Sequence, residues 1–323
     1  MALGLLGAGL VLLPFLTNDY IITVMALAGI YAIAGIGLNL LIGYAGQISF
    51  GHNAFAALGG YASAILTTAR GWEPLPAAGA GLVLAAAAAV AVGYPTLRLR
   101  GHYLAMGTLA LGLIVYLLAV QMEWLTKGFI GIAAIPPLGV GPLAVQTPRG
   151  YYIVIWLLAL LVLWLAARVV DSRVGLALRA VRENEDAARA LGVDATAYKV
   201  LAFTLSAVCA ALAGSLYAHF ISYVSPEAYG LYMVVLLFTM LFLGGVGTTL
   251  GPVFGAIVVS FLPEMLSSLK SYRELIYGVV LLAILMLAPR GLYALVVRYR
   301  PAGPGRPAPA SGPAPVPGGP LAP

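Results

Sequence analysis

The sequence predicts an all-α, polytopic integral membrane protein, and three observations carry that fold class. Hydrophobic residues make up 62% of the 323-residue chain and charged residues only 9%, whereas soluble domains carry about 25% charge. Apolar stretches recur at close to the length that crosses a bilayer, about 20 residues. The charges are confined to the segments between those stretches. A soluble chain so poor in charge would expose large apolar patches, while an outer surface solvated by hydrocarbon requires them.

Taken in order, the spans fall near 2–16, 20–42, 53–69, 76–94, 102–120, 151–169, 200–220, 231–245, 250–263 and 275–289, about ten in all. The first lacks a basic leader and reads as a span rather than a cleaved signal. The stretch 231–263 is too long for one span and has glycines at its centre, so it reads as two short spans joined by a turn. Segments 94–101, 168–199 and 290–306 hold 12 of the 17 basic residues. The positive-inside rule places these three in the cytoplasm, and ten spans then leave both termini cytoplasmic. Residues 1–300 form one transmembrane domain, and 301–323, with nine of the 21 prolines, form a disordered Pro/Gly/Ala-rich tail.

Several function classes lose ground on the same reading. All 11 acidic residues lie outside the spans or at their ends, yet ion-coupled carriers usually keep an ionisable residue in the membrane. His52, His102 and His219 sit near span ends and form no paired ligand set, so no metal or other cofactor is expected. There is no G-x-x-x-x-G-K-[ST] phosphate loop, no catalytic constellation, and nothing that points to nucleic acid. Cys209 is the only cysteine and reads as a small packing residue. Any uphill transport must therefore draw on a separate ATPase.

The cytoplasmic segment from Asp171 to Lys199 is the most informative. Val174, Leu178, Val181, Ala188 and Leu191 recur at helical spacing and predict one apolar stripe on a helix over 172–194. Arg182 with Asp186 and Glu185 with Arg189 are i,i+4 pairs. Gly192 suits a helix C-terminus, and Asp194 suits the N-cap of the next helix. Two roles fit: a helix lying on the inner leaflet, or one docking into a groove of a cytoplasmic partner. The mixed charges of Arg182 to Asp186 and the small residues after them favour docking.

Asp186-Ala187-Ala188, three residues, then Gly192 resembles the EAA loop of ATP-binding-cassette importer permeases, with Asp in place of the first Glu. The longer string RAVRENEDAARALGVDATAYKVLAF resembles the branched-chain amino acid permease family. NLLIGYAGQISFGHNAFAALGGYASA (Asn39–Ala64), LRGHYLAMGTLALG (Leu99–Gly112), FLGGVGTTLGPVFGA (Phe242–Ala256) and LAPRGL (Leu287–Leu292) are similar to that family's other signatures, in the family's order. The resemblance implies a permease subunit of an ATP-driven importer in a bacterial or archaeal inner membrane. It implies two ATP-binding subunits, a second related permease subunit and an external substrate-binding protein as partners. It also implies that Asn184, Glu185, Asp186, Ala187, Ala188 and Gly192 form the ATPase-coupling loop. Branched-chain amino acids are the implied cargo. In the external segment, Thr126 to Ile132 lacks the family's polar residues, which leaves urea or another small polar solute open. An ion-coupled carrier and a passive channel are the more distant alternatives.

Two glycine-rich breaks interrupt spans, Gly43 to Asn53 and Gly244 to Pro252. Non-helical backbone at membrane depth is buried in protein or lines water, and broken spans frame substrate sites in transporters. Gln47, Ser49, His52, Asn53, Thr248 and Thr249 are thus candidates for the translocation path. The other reading is that the glycines allow close helix packing and the polar residues cap helix ends.

Overall fold

The computed structural model describes residues 17–99, 101–139 and 144–265, with single helical positions at 278, 282 and 286. Helix α1 (Asp19–Asn39) runs into a π-helical turn, Leu40–Tyr44. After an extended break come α2 (His52–Arg70), α3 (Pro74–Thr96) and α4 (His102–Gln121). A short α5 (Glu123–Thr126) and strand β1 (Ile132–Ala133) lead to α6 (Pro148–Asp171). The loop helices α7 (Arg173–Glu183) and α8 (Glu185–Ala190) precede α9 (Ala195–Ile221). Strand β2 (Tyr223–Val224) pairs antiparallel with β1. A 3-10 turn, Pro226–Tyr229, then enters α10 (Leu231–Gly244), and α11 (Gly251–Met265) follows.

Six of the described helical stretches are long and apolar enough to cross a membrane: Asp19–Tyr44, Pro74–Thr96, His102–Gln121, Pro148–Asp171, Ala195–Ile221 and Pro226–Gly244. The count of about ten spans is not reached among the described residues. The expected spans 2–16 and 275–289 lie outside them, as does the tail 301–323. Helix α2 is long enough but less apolar, because its neighbours rather than lipid cover it: its inner residues include Ala54, Ala56, Ala57, Gly59, Gly60 and Ser63. Helix α11 is short, with α10 and α11 forming the expected pair around a glycine-rich turn.

Helices α1 and α9 lie at the centre, while α3, α4 and α6 keep most of their apolar surface outward. Small residues set the distances. At the α2–α9 crossing, a Cβ on Gly214 would stand 2.0 Å from the Ala56 carbonyl oxygen, and one on Gly59 would stand 2.2 Å from that of Ala211. In the α10–α11 hairpin, a Cβ on Gly255 would stand 1.8 Å from the Met240 oxygen. Such approach is the main packing resource where lipid tails are as apolar as the side chains. Cys209 serves the same end, with its Cβ against Gly37. Gly214→Val should therefore force two backbones apart and cost at or above the ~1–3 kcal/mol typical of overpacking. Gly79→Ala, with open space around it, should be neutral or better. Thermal unfolding in detergent compares the two, and equal midpoints would refute this account of the crossing.

The charges mark two ends. Arg98 lies over the Tyr94 ring and Arg168 over the Trp164 ring at the end that carries α7 and α8, as expected of an interfacial belt. Arg149 meets Asp19 at 3.5 Å at the opposite end. There the segment between α5 and α6 is tied down by His219, whose Nδ1 lies 2.7 Å from the Pro136 carbonyl and whose Nε2 lies 2.7 Å from Ser63 Oγ.

Candidate functional site

The loop between α6 and α9 is a helical hairpin rather than the single helix its apolar stripe predicts. Ser172 caps α7, accepting from the Val174 N–H at 3.1 Å. Asn184 then breaks the helix: its backbone is extended (φ −157, ψ 108) and its side chain accepts the Ala187 N–H at 3.0 Å. Asparagine competes for backbone N–H groups and so favours a cap over a helix interior. Glu185 and Asp186 follow in the first turn of α8, where the helix dipole favours anions. Gly192, at φ +85, closes α8 in the left-handed region. Asp194 caps α9 through the Ala197 N–H at 3.0 Å.

This kink redistributes the stripe. Leu178, Val181 and Ala188 are buried, the latter two in a small core with Ala195, whereas Leu191 is 85% exposed. Asp186, Ala187, Arg189, Ala190 and Gly192, near Leu191 in the sequence, are exposed as well. Glu185 turns inward: its carboxylate takes Lys199 Nζ on one oxygen and Arg189 Nη2, at 2.7 Å, on the other. Of the six residues assigned to the coupling loop, Asn184, Glu185 and Ala188 thus build the hairpin. Asp186, Ala187 and Gly192 lie on its outer face.

The two breaks meet at the same end. Asn39 Oδ1 accepts the Gly247 N–H at 2.8 Å, and Asn39 Nδ2 donates to the Thr248 carbonyl at 2.8 Å. Residues 45–51 then turn back into the bundle. Phe50 donates its N–H to Thr108 Oγ1 at 3.0 Å and stacks on Phe238 with ring centroids 4.5 Å apart. His52 Nε2 meets Ser206 Oγ. Ser206 lies eleven residues into α9, about 17 Å at 1.5 Å per residue, so α2 starts near the middle of the bundle.

Most of the path candidates are engaged within the chain. Gln47 Nε2 donates to the Ala45 carbonyl at 3.1 Å. Ser49 is buried and accepts the Gly51 N–H at 3.4 Å. Thr248 Oγ1 accepts the Gly251 N–H at 3.1 Å and donates to the Gly245 carbonyl at 2.7 Å, capping α11. Thr249 is half-buried. Asn53 differs: it is 4% exposed, its Nδ2 donates to the Tyr229 carbonyl at 2.9 Å, and its Oδ1 has no partner. It also lines a cavity of about 370 Å³ between α4 and α10, with Leu109, Leu113, Tyr116, Glu227 and Tyr232. An apolar cavity lined by Phe50, Val234 and Phe238 adjoins it and shares Leu109 and Leu231. Among the described residues, no group of three or more His, Cys, Asp or Glu could hold a metal ion.

Asn39 and Lys199 carry structural roles that residue pattern alone does not assign. Asn39 had a signal, as a polar side chain at the end of an otherwise apolar span. Lys199 had none, since a lysine at a helix start ordinarily reaches water.

Broken spans, glycine-tight crossings and a capped loop hairpin define a helical integral membrane protein of transport type. The model of the family described as branched-chain amino acid transport system, permease component, matches residues 20–288, and the chain belongs to that family. It is 33% identical over 305 residues to the high-affinity branched-chain amino acid transport system permease protein LivM of Escherichia coli K12, covering 86% of this chain and 71% of the relative. LivH of the same organism is 27% identical over 291 residues, covering 83% and 92%. The autoinducer 2 import system permease protein LsrC of Photorhabdus laumondii is 33% identical over 143 residues, covering 42% and 43%. No solved structure gives a significant match.

Proposed function

We propose that this chain is one membrane subunit of an ATP-binding-cassette importer for branched-chain amino acids, with ATP hydrolysis residing in partner subunits. Family membership supports the transport role. The observation that carries the coupling is the hairpin's outer face at the end of α8: Leu191, 85% exposed, follows Ala187 and Ala190 and precedes Gly192 on a capped and ion-paired base. That face suits insertion into a groove of an ATP-binding subunit. A second, related permease, a pair of ATPases and an external binding protein complete the assembly. The hairpin end faces the cytoplasm of a cell whose inner membrane holds about ten spans, with both termini inside. The substrate path follows the α4–α10 cavity. Glu227 meets the cargo's ammonium there, and Leu109 and Leu113 meet its alkyl group. Of the candidates Gln47, Ser49, His52, Asn53, Thr248 and Thr249, Asn53 is the path residue at this cavity, while Gln47, Ser49 and Thr248 hold backbone in the breaks.

The test is uptake into vesicles holding the full assembly with labelled leucine. Uptake is expected only with ATP and binding protein, and Glu227→Gln with Asn53→Ala should lower it about tenfold, as for loss of a charged contact. Uptake by this chain alone, without ATP, would mean a channel, and dependence on an ion gradient would mean a carrier. Transport of urea but not leucine would reassign the cargo.

A further inference from the structure

One side chain joins the loop hairpin to both glycine-rich breaks. Arg182, in the last turn of α7, donates through Nη1 to the carbonyl oxygen of Gly43, 139 residues earlier. That carbonyl lies at the end of the π-helical turn, where terminal carbonyls lack a helical partner and a cation is favoured. The aliphatic stem of Arg182 covers the first break: a Cβ on Gly46 would stand 2.8 Å from Arg182 Cγ. Gly43 is also the point where the breaks touch, since a Cβ there would stand 2.6 Å from the Gly247 nitrogen. Asn39 bonds the same second break through Gly247 and Thr248, at 2.8 Å each. The contacts therefore run from hairpin to first break to second break.

We propose that Arg182 is a positioning residue that latches the two breaks against each other and so closes the bundle at the hairpin end. Withdrawal of the guanidinium frees the Gly43 carbonyl and removes the stem from Gly46. The direct Gly43–Gly247 contact and the Asn39 bonds then remain to hold the first break to the second, without the cation that bound them to the hairpin. Movement of the hairpin is thereby converted into opening of the membrane domain. What moves the hairpin rests on the importer reading, whereas the latch is a property of this chain alone.

The experiment uses the full chain in membrane vesicles with Cys209→Ala and one reporter cysteine. Thr249→Cys reports the half-buried second break, and Ala228→Cys reports a half-buried site at the opposite end. A membrane-impermeant maleimide is added from the hairpin side for the first and from the other side for the second. Arg182→Gln should speed labelling at position 249 about tenfold, the scale of one lost charged hydrogen bond, and leave position 228 unchanged. Arg182→Lys, which keeps a charge and a donor, should fall between. Asn39→Asp removes the donor to Thr248 and keeps the acceptor for Gly247, so it should act in the same direction even if Arg182→Gln accumulates poorly. Unchanged labelling at 249 in Arg182→Gln overturns the latch, even where Asn39→Asp speeds it, and unchanged labelling in Asn39→Asp overturns it where Arg182→Gln accumulates poorly. Equal acceleration at 249 and 228 also overturns it, because Arg182 would then be a general stabiliser. Neither ATP nor partners enter the assay, so failure of the importer reading shows elsewhere, as absent ATP-driven uptake.

Discussion

Leu191→Asp is expected to abolish capture of the ATP-binding subunit and ATP-driven uptake while the chain still folds in its membrane. Leu191 is 85% exposed, so its replacement forfeits almost no burial within the chain, and surface changes away from caps and cores usually stay within about 0.5 kcal/mol. In a complex it would be the central apolar anchor, and loss of such an anchor costs about 2 kcal/mol or more. A carboxylate adds the cost of desolvating a charge in the partner's groove. Association should weaken by two orders of magnitude or more, at 1.4 kcal/mol per tenfold. Leu191→Met, of similar volume, should retain most activity. Co-purification of the ATPase with the tagged chain reads the result directly, and undiminished co-purification of the Asp variant would show that the anchor lies elsewhere.

Glu185→Ala is expected to unravel the hairpin, by a different route. The Lys199 side chain is only 3% exposed, and Glu185 is the anion it meets. Removing one member of a buried pair strands the other and costs about 3–5 kcal/mol. Lys199→Met should cost less, because Glu185 keeps Arg189 at 2.7 Å and more access to water. The double change Glu185→Leu with Lys199→Met should recover most of the loss, as apolar replacement of a buried pair often does. Thermal unfolding together with protease cleavage within 184–194 separates the cases. Equal damage from both single changes, without recovery in the double, would mean that the pair does not organise the hairpin. The prediction also bears on interpretation: loss of transport in a Glu185 variant reports on the hairpin's base, not on contact with the ATPase.

The long apolar helices were legible because lipid imposes a composition on whole stretches of chain. The split of 231–263 was legible because Gly244 to Pro252 cannot continue a helix under lipid. The hairpin was legible only in outline. Spacing from Val174 to Leu191 fits one continuous helix, but Asn184 supplies a better cap than a helix interior, and the rotation it introduces carries Leu191 to the surface. A periodicity count assumes an unbroken helix and cannot register one residue choosing another role. For the path candidates, a polar residue in a break can line water or hold backbone with the same hydrogen-bonding groups. Ser49 and Thr248 hold backbone, and only geometry distinguishes them from Asn53. Arg182 was readable as half of an i,i+4 pair, and its long-range partner Gly43 lies beyond any local rule.

The bridge made by Asn39 has a consequence for how the protein is made. Its two partners, Gly247 and Thr248, come 208 and 209 residues later. At roughly 5–20 residues per second, a ribosome needs about 10–40 s to supply them. Over that interval α1 has been synthesised, yet a polar amide at its C-terminal end waits for its permanent partners. The Phe50 N–H likewise waits for Thr108, 58 residues on. The polar seam between α1 and the second break is therefore completed only after Gly247 and Thr248 have been made. A chain that stops before Gly247 has α1 to α10 but neither α11 nor the two groups that Asn39 binds.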